Sequence, residues 1–298
     1  MTGAAGPAPA SSTAIDSNAL LWLSQGMGDL PADDCHLTPR EAARLAGMRF
    51  EKRRSEFRLG RFTAKRALAL ALGRDAAPAA LAAFEIGSAA DGAPEPRLDG
   101  ASAPRAISMS DRAGQAVCLV GPAGLALGID LELVEPRSQA FVADFLTEAE
   151  QARVAAAGEG EGRALAANLI WSAKEAALKV LRTGLRRSTR SVEVELLGGL
   201  DGREWSPLSV HLREGGELAG WWRRCGAFVL TVAAGGPIPP PRALVEPPGL
   251  AAAVPSAAWC ERTGVALRSR VGAGTPSGAG SGTMAPSSGT NPARRSKR

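Results

Sequence analysis

Two short stretches of this 298-residue chain hold side chains whose types and spacing suit them to joint chemistry. In residues 125–134 (LALGIDLELV) everything is apolar or glycine except Asp130 and Glu132. The two-residue period of a strand places both carboxylates on one face. On these residues alone two readings stand: a strand with one solvated side, or a divalent-cation site built from carboxylates fixed on a rigid element. In residues 171–179 (WSAKEAALK), Glu175 and Lys179 lie four apart and share one face of a helix. As a plain surface pair they would contribute only about 0.3 to 0.5 kcal/mol. Yet the chain has 30 arginines and only 5 lysines, and two of those lysines, Lys174 and Lys179, fall in this nonapeptide. Arginine serves a surface pair equally well, whereas donating a proton needs an amine, because a guanidinium keeps its proton in proteins.

A third feature is cationic. Residues 40–74 carry 11 basic against 3 acidic side chains. A solvated helix face accounts for such a run, but Arg53, Arg61 and Lys65, spaced by eight and four, also fall near one helical stripe. A stripe of cations suits a phosphate-rich small molecule.

These residues need elements to position them. Residues 19–24 (ALLWLS) read as a strand, Thr38 as the cap of a helix, and 48–72 as a long amphipathic helix, followed by short strands in AAFEIG, RAISMS and QAVCLVG. The order then repeats. LALGIDLEL is a strand, a helix follows Thr147, a longer one covers 168–182, and strands recur in SVEVELL, LSVHLR and AFVLTVA. The fold class expected is α+β, with two similar halves, 13–122 and 123–235, packed face to face. Residues 1–12 and the proline-, glycine- and serine-rich stretch 236–298 are expected to be disordered, since they offer little apolar surface to offset ordering entropy.

Composition excludes several classes. The net charge of +5 comes from the tail: residues 236–298 carry 8 basic and 2 acidic side chains, while the first 235 residues sum to −1. That is no body-wide footprint for nucleic acid. The tail itself, ending RRSKR, has no aromatic residue after Trp259 on which to stack a base. Four scattered cysteines and two histidines argue against a zinc site or a disulfide framework. No leader or membrane-spanning stretch is evident, so the expected location is the cytoplasm, with no membrane partner.

Together, GIDLE (128–132) and WSAKEAALK (171–179) resemble the paired GxDxE and WxxKEAxxK signatures of the 4′-phosphopantetheinyl transferases. Residues 37–68 are similar to that family's first-half helices, and 107–120 (ISMSDRAGQAVCLV) to its segment of type SLSHRAG. The likeness covers roughly 15–235 and matches the monomeric, two-lobed type of surfactin synthetase, with pseudo-twofold symmetry.

The resemblance implies transfer of the phosphopantetheine arm of coenzyme A to a serine of an apo acyl or peptidyl carrier protein, with adenosine 3′,5′-bisphosphate released. By position, Asp130, Glu132 and Glu175 match magnesium ligands. Glu175 also matches the group that activates the serine, and Lys179 the one that contacts phosphate and protonates the leaving group. Arg53, Arg61 and Ser110 match coenzyme contacts, and Glu150 matches a further acidic position of variable role. Two positions depart from the pattern. Asp111 stands where histidine is usual beside the 3′-phosphate, and Ala93 where lysine is common; Arg97 and Arg112 are candidates to compensate. The competing readings are a homologue that binds coenzyme A or carrier protein without transferring anything, and a tail that associates with nucleic acid.

Overall fold

The structure, a computed structural model, describes residue 16, residues 18–246 and residues 249–256. The expectations for residues 1–12 and for the chain beyond 256 lie outside the described residues.

In the first half β1 (Leu21–Gly26) leads through α1 (Pro39–Ala46) to α2 (Glu51–Ala71), then to β2 (Phe84–Ser88), β3 (Pro94–Leu98), β4 (Ala101–Ser102), β5 (Arg105–Arg112) and β6 (Gln115–Pro122). The second half runs β7 (Leu127–Leu133), α3 (Gln139–Phe145), α4 (Glu148–Ala156), α5 (Glu161–Val180), β8 (Val192–Leu196), β9 (Ser206–Leu212), β10 (Glu217–Cys225) and β11 (Phe228–Ala234). A last short strand, β12 (Arg242–Ala243), returns to the first half. One sheet has the order β12-β1-β6-β5, the other β7-β11-β10-β9-β8, and a small third sheet joins β2, β3 and β4.

The strand period of two builds the layers. On β1 and β6, Leu21, Leu23, Cys118 and Val120 pack with α2, whereas Leu20, Trp22, Val117 and Leu119 pack with Ile129, Leu131, Leu230 and Val232 of the other sheet. On β11, Val229 and Ala233 turn the other way, toward α5. The order of layers is therefore α2, sheet, sheet, α5, and strands buried on both faces read as nearly continuous apolar runs.

Each half closes its long helix with the same device. Thr38 caps α1 and Glu41 completes the capping box. Glu41 Oε1 then accepts from Ile86 N at 3.0 Å, and its other oxygen meets the fully buried Lys65. Thr147 and Glu150 form the capping box of α4. Glu150 Oε1 accepts from Val194 N at 2.8 Å and Oε2 lies 2.7 Å from Lys174 Nζ, with both side chains essentially inaccessible. Lys65 therefore leaves the expected phosphate-facing stripe for a structural pair, and Glu150 is buried as the anchor of α4.

Two elements differ from the sequence reading in extent. Helix α5 begins seven residues earlier than expected, at Glu161. Residues 236–246 and 249–256 are also more ordered than composition suggested. Leu21 and Trp22 pair in parallel with Arg242 and Ala243, Trp221 Nε1 donates to Ile238 O at 2.9 Å, and Leu250 is wholly buried between β1 and β10. A few apolar anchors among the prolines suffice, because each lands on a sheet that is already built.

Leu250→Ala is expected to lower stability by about 2 to 5 kcal/mol in chemical denaturation, a loss that a disordered tail would not produce. Lys174→Ala, which strands Glu150 in the core, should cost about 3 to 5 kcal/mol in the same assay.

Candidate active site

Strand β7 and helix α5 meet face to face, and their repeats match. Two residues along a strand advance about 6.8 Å and four along a helix about 6 Å. Asp130 and Glu132 on the face of β7 that looks at α5 thus come opposite Trp171, Glu175 and Lys179, which are spaced by one helical turn. Gly128 makes this approach possible: a Cβ there would sit 1.8 Å from Ala176 O.

Asp130 is the centre of the arrangement, at 5% exposure. Its Oδ1 accepts from Lys179 Nζ at 2.8 Å and from Ser110 Oγ, on β5 of the other sheet, also at 2.8 Å. Lys179 Nζ donates as well to Ile129 O at 2.7 Å. Asp130 Oδ2 is buried and has no hydrogen-bond partner among the described residues. Two positions along β5, Ser108 Oγ accepts from Ile129 N at 3.1 Å, so Ser108 and Ser110 together stitch the two sheets at the site.

Glu132 is held from three sides. Trp171 Nε1 donates to Oε1 at 3.0 Å, while Oε2 takes Arg137 at 3.0 Å and lies 3.3 Å from Arg112 Nε. Burial and the Asp130 charge raise its pKa against the pull of those two arginines. Glu175 lacks such partners. Burial first, then Asp130 and Glu132, push its carboxyl up to about 7, with Lys179 opposing.

The expected coenzyme contacts spread along a cleft. A cavity of about 840 Å³ lies between the small sheet, β5, the β6–β7 loop and the end of α5, and its lining includes Arg61, Arg97, Arg105, Lys179 and Arg182. Ala93 lines it too. Arg61 stacks on Phe57 at 4.5 Å and lies 3.7 Å from Glu41, with its Nε lacking a hydrogen bond. Arg53 is exposed and near Asp111. Asp111 is open to solvent yet hemmed in by protein, as a group in a cleft is. Burial, then Glu56, lifts its pKa to about 6, opposed by Lys179 and Arg53. Arg112, a candidate to compensate at the coenzyme phosphate, is spent on Glu132 and Glu135.

Sequence reasoning gave Arg112 a different role and missed the rest of the second ring of groups: Trp171, Arg137 and Asn168, which ties Arg137 to the backbone of Glu135. Trp171 sat in view inside the motif; Arg137 gave no signal, because it is one of thirty arginines that look alike.

Among the described residues no group of three or more histidine, cysteine, aspartate or glutamate side chains is gathered closely enough to hold a metal ion. The donors nevertheless suit a hard cation: they are all oxygen, Asp130 Oδ2 is buried and unpartnered, and Glu175 sits in the field of two carboxylates. Glu132 suits it by charge alone, since both its oxygens are engaged.

For Glu175 a native pKa above the ordinary glutamate value means that its protonated form stabilises the fold at low pH and that this stability is lost as pH rises toward 7. In chelator, Glu175→Gln should match the native chain near pH 4.5 and exceed it by about 1 to 3 kcal/mol above pH 7. Denaturant titrations across that range test this, and equal stability at both ends would contradict the crowding of the carboxylates.

A family model described as the 4′-phosphopantetheinyl transferase superfamily matches residues 126–212. The match runs from just before β7 to the end of β9 and takes in Asp130, Glu132, Trp171, Glu175 and Lys179, but not Arg53, Arg61 or Ser110. No curated protein matches the chain. Members of the superfamily act on carrier proteins with coenzyme A as donor. Over residues 126–212, then, this chain is similar to the 4′-phosphopantetheinyl transferase superfamily.

Proposed function

We propose that the protein transfers the 4′-phosphopantetheine arm of coenzyme A to a serine hydroxyl of an apo acyl or peptidyl carrier protein, releasing adenosine 3′,5′-bisphosphate. The observation that carries this reading is Asp130. One of its oxygens is shared by Lys179 and Ser110, and the other is buried without a partner beside Glu175.

In the proposed reaction the serine oxygen bonds to the β-phosphorus as the bond from that phosphorus to the bridging oxygen breaks. Glu175 takes the serine proton, directly or through water, and Lys179 gives a proton to the departing phosphate oxygen. A magnesium ion, for which Asp130 and Glu175 are the available donors and Glu132 the one that must first release its arginines, supplies charge neutralisation at the phosphoryl oxygens. Ser110 fixes Asp130, and Arg61 belongs to the cationic wall of the cleft that would take the nucleotide, whereas Arg53 lies outside that lining, near Asp111. The single chain holds all these groups, so the active unit is a monomer.

Incubation with coenzyme A and magnesium should add about 340 Da, the mass of the transferred arm, to an apo carrier protein, and chelation should abolish the gain. Asp130→Ala should lower turnover by orders of magnitude with the fold intact. Lys179→Arg keeps the cation but not the transferable proton, so kcat should fall further than coenzyme affinity. Transfer undiminished in chelator would overturn the metal assignment; native turnover by the arginine variant would leave Lys179 only a phosphate contact.

A further inference from the structure

Two arginines hold Glu132, and they are themselves held very differently. We propose that Arg112 is a displaceable latch on the site: it occupies Glu132 until a divalent cation arrives and then swings off, while Arg137 stays and keeps the carboxylate oriented. The inference rests on the metal assignment in the transfer reading and adds to it which side chain opens the site.

Arg137 is built in. Its Nε donates to Asn168 Oδ1 at 2.6 Å and its Nη2 to Glu132 Oε2 at 3.0 Å, and the guanidinium lies over Phe141 at 4.8 Å. Asn168 is wholly buried and donates in turn to Glu135 O and Ala164 O, both at 2.7 Å. Moving Arg137 would therefore strand a buried amide oxygen. Arg112 is held more loosely. Its Nε lies 3.3 Å from Glu132 Oε2 yet makes no hydrogen bond among the described residues, so the contact is one of charge alone. Its hydrogen bond is made by Nη2, to Glu135. The Arg112 side chain is 36% exposed, against 17% for Arg137.

The acceptor count permits the exchange. A carboxylate offers about four lone-pair sites. Trp171 takes one on Oε1 of Glu132 and Arg137 one on Oε2, so loss of Arg112 alone uncovers an oxygen without releasing the group. Charge favours the same exchange. Asp130, Glu132 and Glu175 are balanced by Lys179, Arg112 and Arg137, with Glu135 shared between the two arginines. Taking one arginine away leaves the negative excess that a divalent cation needs.

The displaced side chain has room. Met27 N donates to Gly114 O at 3.1 Å and Ser256 N to Ala113 O at 2.9 Å, which fixes the β5–β6 turn and leaves the movement to the Arg112 side chain. Arg112 lines a cavity of about 400 Å³ together with Lys52, Glu56 and Asp111. Lys52 lies 3.7 Å from Glu56, and Arg53 and Lys179 both act on Asp111, so these carboxylates already have cations near them. Glu135, half-buried and already bonded to Arg112, is the partner that the freed guanidinium keeps.

The test uses manganese(II) as the probe, titrated into the full chain without coenzyme A and followed by loss of the free ion's electron paramagnetic resonance signal. Arg112→Gln should tighten manganese about tenfold, equivalent to about 1.4 kcal/mol, while Arg137→Gln leaves it within about twofold or weakens it. Equal tightening by both variants would make Arg112 merely one more positive charge and overturn the latch, as would unchanged or weaker binding by Arg112→Gln. A second measurement needs no variant. With phenylglyoxal labelling mapped by mass spectrometry on the native chain, manganese should raise modification of Arg112 several-fold and leave Arg137 protected; labelling of Arg112 that does not respond overturns the proposal too. Failure of the native chain and both variants to take up any manganese would instead overturn the metal assignment, and the latch with it.

Discussion

The buried carboxylate of Asp130 is the constraint from which the site follows. A carboxylate at 5% exposure must be matched by donors or by a cation, or else take up a proton. Here one oxygen is matched twice, by a serine from the other half and an ammonium from α5, and the other is not matched by the protein at all. Gly128 lets α5 lie close enough for Lys179 to reach, and β5 must dock against β7 for Ser110 to do so. The site therefore exists only when both sheets and the helix are in place, which links its geometry to the stability of the whole four-layer stack.

What secures α2 and α5 in that stack is a pair of buried ammonium groups. Lys65 donates to His36 O and Glu41, and Lys174 to Thr189 O, Val192 O and Glu150, so each ammonium meets carbonyl and carboxylate acceptors in a pocket closed to water. A tetrahedral ammonium fits such a pocket and a planar guanidinium does not. The lysines that this arginine-rich chain does use within the described fold thus fall into two kinds. Lys65 and Lys174 stand where shape demands them, and in the transfer reading Lys179 would supply a movable proton. Counting lysines singled out Lys174 and Lys179, and stripe spacing Lys65, but neither could separate packing from chemistry, because both act on the same side chain.

Much of the fold was legible because periodicity survives wherever strands and helices bury regular faces. The β7 pattern of Ile129 and Leu131 against Asp130 and Glu132 is one case, and the threonine caps at 38 and 147 are another. Strand β10 was not legible: on the face that Leu218 and Trp222 bury, Gly220 offers no apolar side chain, and Arg223 and Arg224 follow as a pair before Cys225, which falls on the other face. Strand β3 holds two prolines, and β12 is two residues long in a proline-rich run, so their pairing is set by partners distant in sequence. The carboxylates of the site were legible from type and spacing, whereas the clamp on Glu132 depends on Arg112 and Arg137 arriving from separate loops.

That clamp bears on how a ligand-free site stays folded. Three carboxylates converge from β7 and α5, and three cations, Lys179, Arg112 and Arg137, bind two of them. Glu175, left over, meets its cost by holding a proton up to about neutrality. The internal cations are therefore stand-ins for charge that a ligand would bring. In the transfer reading, Lys179 would share itself between Asp130 and a phosphate, and a cation entering at Asp130 Oδ2 would offset the charge thus uncovered. Each arrival would make the other more favourable, so in that reading coenzyme and metal binding would be coupled through one carboxylate.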